Sequence, residues 1–348
     1  MIKRHIFYLW GVVLTALATS CSEKEAFDIS PAERSSRSIE QLRSELLEAP
    51  CGWSVCYFPK TDSLLFSNPK ALLDNGYRYR YGVGGFCFQM KFDSEGKVSM
   101  LADYSENSIK EWKTSEYEIK QNSFTQLSFT TYNYLHENVN NLFSVSADFL
   151  YIGKDPDGRL IFRTPRYIEP AREYLVFERI GNEEEASGNM QASYENRLFF
   201  EKMVNPQLII HRGDRVSFRS DMFLKNMEEN WSEENAHNRR WVRKVLGQRY
   251  WLFVYDKSRG FGKSLNGLGS GYAGTARGLT FRSGIRYSDK QIFYDFRRID
   301  DRFICEPVKV YDSLTRSYRM VSKHLAEEKD IIEEPGFIAE IWDEKQKK

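Results

Sequence analysis

Residues 84–104 read GGFCFQMKFDSEGKVSMLADY, and this stretch decides the class of fold. GGFCFQMKF reads as a strand, Asp93-Ser94-Glu95-Gly96 supplies turn residues, and KVSMLADY runs back as a second strand. Upstream, WSVCYF (53–58) is another strand candidate; downstream come YEIKQ (117–121), FTQLSFTTY (124–132), DFLYIG (148–153) and RLIFRT (159–164). Asp155-Pro156-Asp157-Gly158 makes the turn between the last two. Strands at this spacing, broken by short turns, predict a mainly β fold, either an antiparallel sandwich or a meandering barrel-like sheet.

A helix precedes the first strand. Ser30-Pro31-Ala32-Glu33 gives an N-cap serine, a proline at the first helical position and a capping-box glutamate. Ile39, Leu42, Leu46 and Ala49 recur at helical spacing, and Pro50 stops the helix before Gly52-Trp53 turns into the strand. A helix of this length is marginal alone in water, so its apolar stripe is expected to lie on a sheet.

The second half carries similar strand patterns: SYENRLFFEKMV (193–204), RVSFRSDMFL (215–224), RYWLFVYDK (249–257), GLTFRSGIRYS (278–288), QIFYDFRRI (291–299) and FICEPVKVYD (303–312). A second helix is expected between Glu228 and Leu246. The charged run Asn182-Glu183-Glu184-Glu185, followed by Ser187-Gly188-Asn189, reads as a linker or loop over 182–192. Residues 30–181 are then a helix-plus-β domain and 193–321 a C-terminal β-rich region. Residues 322–348 form a charged tail, either loose or docking a short helix through Ile331, Ile332 and Ile338.

The N-terminus addresses the chain. Lys3, Arg4 and His5 precede an apolar run from Ile6 to Ala18, shorter than the ~20 residues of a spanning helix. Thr19-Ser20-Cys21 follows and resembles the lipobox of bacterial lipoproteins, although Leu17 sits one place further upstream than the usual leucine. The reading is a signal peptide over 1–20, lipidation at Cys21 and a tether over 21–29. Ser22-Glu23-Lys24-Glu25 resembles the acidic patch that sorts lipoproteins of Bacteroidota to the cell surface. The expected place is the outer membrane, lipid-anchored and surface-exposed, with the periplasmic face as alternative. No ATP or NAD(P)H is supplied there, and no cofactor is expected.

Net charge is +1, so no global field draws nucleic acid, and none is expected as a partner. Phe 24, Tyr 20 and Trp 7 make the chain 15% aromatic, which suits strands and also surfaces that hold flat ligands. Besides the anchor there are Cys51, Cys56, Cys87 and Cys305, an even count that permits disulfides. Cys51 and Cys56 read as one strand, ~16 Å apart, against a bridging limit of ~7 Å. Cys56 and Cys87 lie on strands able to be neighbours, so a bridge there stands beside the alternative of free buried thiols.

Phe27-Asp28, Ser30-Pro31-Ala32-Glu33-Arg34, Ala49-Pro50, Gly52-Trp53 and Tyr57 resemble the opening of a Bacteroidota lipoprotein family, domain of unknown function 4302. The similarity continues through Gly84-Gly85-Phe86, Lys91-Phe92, Gly96-Lys97-Val98, Leu127-Ser128-Phe129, Thr131-Tyr132-Asn133 and His136, and is best over about 27–180. Cys51 departs from it, since the family tends to have a small polar residue there. The resemblance implies a surface or periplasmic lipoprotein, often associated with outer-membrane nutrient uptake. It brings no catalytic residues.

Several literal motifs fail on context. Gly269-x-Gly271-x-x-Gly274 spells GxGxxG, yet Thr275 to Phe281 read as loop then strand, whereas dinucleotide binding needs a helix there. Gly262-Lys263-Ser264 lacks the first P-loop glycine and a following helix. His136-Glu137-Asn138-Val139-Asn140 has asparagine where a zinc protease needs its second histidine; Glu234 with His237, and His211 with Asp214, lack a third ligand. No metal is expected. Arg212-Gly213-Asp214 reads as a hairpin turn, and Arg239-Arg240-Trp241 as a charge-laced helix face. Asp62-Ser63-Leu64 and Asp312-Ser313-Leu314 match a short O-glycosylation pattern.

The function expected is a non-catalytic ligand-binding or accessory lipoprotein of nutrient uptake. Its partners would be the outer membrane, a glycan or other small ligand, and an outer-membrane transport complex. The alternatives are a structural or assembly partner of such a complex, and a glycan or peptide hydrolase. Candidate contacts are Tyr272, in a glycine-rich loop from Gly267 to Gly278, and Tyr132, Asn133 and His136.

Overall fold

The computed structural model describes residues 29–59, 84–138, 145–165, 174–224, 250–253, 268–286, 292–312, 316–323, 326, 328–332 and 337–343. Helix α1 (Pro31–Leu47) starts where the sequence placed it, with the Glu33 backbone N–H donating to Ser30 Oγ at 3.2 Å. The Glu33 carboxylate turns outward to Arg37 at 2.8 Å.

The first sheet is a closed barrel. Its strands are β1 (Trp53–Tyr57), β2 (Phe86–Phe92), β3 (Lys97–Ala102), β4 (Lys113–Gln121), β5 (Thr125–Phe129), β6 (Asp148–Lys154), β7 (Leu160–Arg163) and β8 (Tyr174–Arg179). Each pairs antiparallel with the next, and β8 closes on β1 with Trp53 opposite Arg179. Of the two architectures the sequence allowed, this half is therefore the meandering barrel. An eight-stranded barrel is just wide enough for side chains to fill it. Here Trp53, Tyr57, Phe88, Phe149, Phe162 and Phe177 are almost fully buried in one cluster. Most of the described aromatics of this half go into the core, with Trp112, Phe124 and Tyr132 exposed.

Helix α1 packs against β4 and β5 and adds Leu42 and Leu46, both 0% exposed, to that cluster. The Trp53 indole N–H donates to the Leu46 carbonyl at 2.9 Å, tying the helix end to the first strand. Between them Gly52 has φ +95°, and a Cβ there would lie 2.8 Å from the Met90 carbonyl oxygen. Leu46→Ala is expected to cost about 2–5 kcal/mol in denaturant unfolding, as for other buried leucine truncations. A loss within the surface range of about 0.5 kcal/mol would detach the helix from the core.

Residues 182–192, expected as a linker or loop, are the cap and first half of a second long helix. The short α2 (Tyr134–Asn138) lies between β5 and β6, and α3 runs Glu183–Glu201. Asn182 caps α3 by accepting the Glu185 N–H at 2.8 Å, and Glu185 returns the bond to the Gly181 N–H at 2.9 Å. SYENRLFFEKMV, read as a strand, is the second half of this helix.

The second sheet comprises β9 (Pro206–Arg212), β10 (Arg215–Leu224), β11 (Tyr250–Phe253), β12 (Leu268–Gly271), β13 (Ala273–Thr275), β14 (Gly278–Arg286), β15 (Ile292–Ile299), β16 (Arg302–Cys305) and β20 (Phe337–Asp343). Among the described residues the order is β12-β11-β10-β9-β20-β16-β15-β14-β13. Its two edges, β12 and β13, are separated in the chain by Tyr272 alone, so the sheet curls back until its edges meet at that bend. Buried side chains from β9, β14, β15, β16, β20 and the end of α3 form one cluster inside the curl. Both halves thus share one plan: a helix, then consecutive antiparallel strands around a core. The second is interrupted by a small sheet of β17 (Pro307–Asp312), β18 (Ser317–Ser322) and β19 (Ile331–Ile332).

The charged tail needs correcting too. Ile331 and Ile332 form β19, and Ile338 belongs to β20, a central strand between β9 and β16. Charge-rich flanks hid a strand whose Ala339 and Ile341 are 0% exposed. The helix expected between Glu228 and Leu246, the signal peptide over 1–20 and Cys21 lie outside the described residues, as do Gly262-Lys263-Ser264, Ser63 and Ser313.

Candidate functional site: a cleft between the barrel and the second sheet

Helix α3 is the seam. Met190 packs with Leu101 and Ile109 on the outside of the first barrel, while Phe200 and Met203 enter the second core. Its buried face is largely polar, and Asn196 and Arg197 on it bond to the second sheet and the first barrel respectively. Asn196 Nδ2 donates to the Thr275 carbonyl at 2.9 Å. Arg197 donates to the Asp103 carbonyl at 3.1 Å and to Glu201 at 2.7 Å, and its Nε is 3.6 Å from the Asp103 carboxylate. Ser193 returns its hydroxyl to the Asn189 carbonyl at 2.8 Å.

Beside this seam opens a cleft of about 420 Å³. One wall is the outer face of β1 and β8, with Ser54, Val176 and Glu178; the second is the N-terminal half of α3, including Asn189; the third is the β13–β14 turn and β15, with Thr275, Arg277 and Asp295. Arg159, at the start of β7, also contributes. Arg277 spans the gap to Glu178 at 3.4 Å. Glu178 keeps 46% of its side-chain surface open. Loss of solvent around it nevertheless raises its carboxyl above the usual range, while Arg277 and Arg159 pull the other way. Arg159 is held by Asp155 at 2.6 Å. None of the described lining residues is aromatic.

The residues singled out from sequence lie elsewhere. Tyr272 is 4% exposed, donates its hydroxyl to Glu201 at 3.0 Å and packs edge-on against Phe200. The glycine-rich stretch around it is strand from Leu268 to Gly271 and from Ala273 to Thr275, not a loop. Its glycines serve close packing: a Cβ on Gly271 would lie 3.0 Å from the Gly84 Cα, and one on Gly274 would lie 2.1 Å from the Ser193 carbonyl oxygen. Tyr132, Asn133 and His136 do come together, at the start of α2. Asn133 is 0% exposed and occupied, accepting from the Leu135 N–H at 2.9 Å and donating to Ser115 at 3.0 Å. His136 Nδ1 lies 2.9 Å from Asn133 Oδ1, and burial lowers the imidazole's pKa. Tyr132 alone is open, at 59% exposure. Among the described residues no group of three His, Cys, Asp or Glu side chains is arranged to hold a metal ion.

Cys56 and Cys87 face each other across β1 and β2, 4.5 Å apart at Cα, and form a disulfide. That separation is typical of a non-hydrogen-bonded antiparallel pair. Cys56 reaches the cleft wall, and Cys87 is covered by Phe58 and Ala273 of the second sheet. Cys51 lies in the turn before β1 rather than within the strand, and it is a free buried thiol. Cys305 is also free, its thiol pushed by burial up to about 12.

The sequence model of one family, described as Domain of unknown function (DUF4302), matches residues 23–300. The chain belongs to that family. The DUF4302 match runs well past residue 180, through α3 and the second sheet into β15. It therefore takes in every described lining residue of the cleft, from Ser54 to Asp295. No curated protein and no solved structure matches the chain.

The cleft was not legible from sequence because its walls come from separate stretches around residues 54, 159, 178, 189, 277 and 295. One signal was available: Asn182-x-x-Glu185 is a capping box, and it marks the start of the helix that forms one wall.

Proposed function

We propose that this is an outer-membrane lipoprotein, anchored through Cys21 and exposed at the cell surface, that captures a small ligand in the cleft between its barrel and its second sheet without turning it over. Nutrient uptake beside an outer-membrane transport complex is the setting this reading gives it. The supporting observation is the cleft: its volume falls in the range of small-molecule sites, and its walls bring together polar groups from three elements. The anchor rests on the lipobox-like Thr19-Ser20-Cys21 and on the acidic residues after it. Acyl chains would hold the protein, since one chain binds a membrane only marginally and two or more hold it stably.

Cys21→Ala is expected to move the protein from the membrane pellet to the soluble fraction. A variant that still pellets with outer membranes in high salt would contradict the anchor. The capture reading is tested by screening the full chain in detergent micelles against peptides and glycans, following occupancy by native mass spectrometry. Retention of a ligand unchanged supports capture.

One observation favours hydrolysis instead. Glu178 of the barrel and Asp295 of the second sheet reach the same cleft, and the Glu178 carboxyl is raised. Arg277 at 3.4 Å opposes that rise and already engages the carboxyl in an ion pair, which is why capture is preferred. Cleavage of a retained peptide or glycan by pure protein would reverse that preference.

A further inference from the structure

Resting on that reading of the cleft, we infer that its ligand is a zwitterion: an amino acid or short peptide with free amino and carboxyl ends. The lining presents both signs of charge within one small space. Arg277 and Arg159 offer guanidinium groups, and Glu178 and Asp295 offer carboxylates. Arg159 is close enough to Asp295 and Glu178 for each to feel its charge. Asp295 makes no ion pair among the described residues. A ligand of one sign would gain from one set and be repelled by the other, whereas a zwitterion gains from both.

Asn189 carries the inference further. Its side chain is 6% exposed and lines the cleft, yet its amide Nδ2 has no hydrogen-bond partner among the described residues. A buried donor left unpaired costs about 1–3 kcal/mol, so such groups normally have a partner. The atom is closed to water as well, so a small turn of the side chain toward the cleft is needed, after which a peptide carbonyl or carboxylate supplies the missing acceptor. The carboxylate end then belongs with Arg277 and Arg159, the ammonium end with Asp295 and Glu178, and a backbone oxygen with Asn189.

The test is native mass spectrometry of the full chain in detergent micelles with three mixtures: tripeptides with free ends, the same tripeptides acetylated and amidated, and a set of oligosaccharides. Free tripeptides should be retained, and blocking both ends should lower occupancy by about tenfold or more, as expected for losing hydrogen bonds to charged groups. Asn189→Leu should lower occupancy while leaving the melting temperature unchanged or raised, because no bond from Nδ2 is lost. A merely structural asparagine would lower the melting temperature instead. Equal retention of the blocked peptides, or no retention of free ones, would overturn the zwitterion. Retention of saccharides alone would overturn it while leaving ligand capture intact; retention of none of the three would overturn both.

Discussion

Gly274→Val is expected to be among the most damaging single changes in this chain. The Cα of Gly274 faces helix α3 with no room between: a Cβ would lie 2.1 Å from the Ser193 carbonyl oxygen, 2.8 Å from Arg197 Cβ and 3.0 Å from the Arg197 nitrogen. Two of those three atoms are backbone, so no rotamer change relieves the contact. The helix would have to lift, stretching the Asn196 bond to Thr275 and the Arg197 bonds to Asp103 together. Overpacking usually costs about 1–3 kcal/mol; a backbone clash at a seam of several bonds belongs at or above that upper end. Gly188→Ala is the control. It lies on the same helix, exposed, with nothing within 4 Å of an added Cβ. It should stabilise the protein by about 0.5–1 kcal/mol, the helix preference of alanine over glycine. Denaturant unfolding of both variants reads the contrast. A neutral Gly274→Val would mean that α3 does not press on β13, and a destabilising Gly188→Ala would mean that 183–201 is not helix.

Arg197→Ala is the second large effect. The guanidinium is 8% exposed and faces an Asp103 carboxylate that is 0% exposed, so its removal takes away the cation facing this buried charge where α3 meets the first barrel. Breaking a buried pair by deleting one partner typically costs about 3–5 kcal/mol. Glu201 would also lose the ion pair that orients it toward the Tyr272 hydroxyl. Asp103→Asn in the Arg197→Ala background should recover part of the loss, because the stranded charge is then gone. A loss below about 1 kcal/mol, with no recovery in the double variant, would show that the pair does not hold the seam.

How far the sequence could be read depends on where each segment's signal lies. Strands β2 and β3 were legible because each has an apolar inner face and a turn, Asp93 to Gly96, closed by Asp93 accepting the Lys97 N–H at 2.8 Å. Helix α1 was legible because one apolar stripe serves one core. Helix α3 was hidden by its position between the barrel and the second sheet, where it buries Asn189, Ser193, Asn196 and Arg197 instead of leucines. Apolar periodicity does not see such a face. Strand β20 was hidden by acidic and basic neighbours at both ends. Tyr272 looked like an exposed loop tyrosine because its glycines suggested a loop, whereas they permit the close contact of Gly84 and Ser193 with the strands around it. The Cys56–Cys87 bridge was within reach because both cysteines sit on strands that the pattern identified.

The central claim is that the space between the barrel and the second sheet is a ligand site, and amide hydrogen exchange tests it most directly. The full chain in detergent micelles would be compared with and without a saturating mixture of free tripeptides. Ligand capture predicts slower exchange in three separate places: Val176 to Arg179 of β8 with Ile180 after it, the first half of α3 around Asn189, and the β13–β14 turn from Thr275 to Thr280. Unchanged exchange at all three, or protection confined to other surfaces, would contradict it.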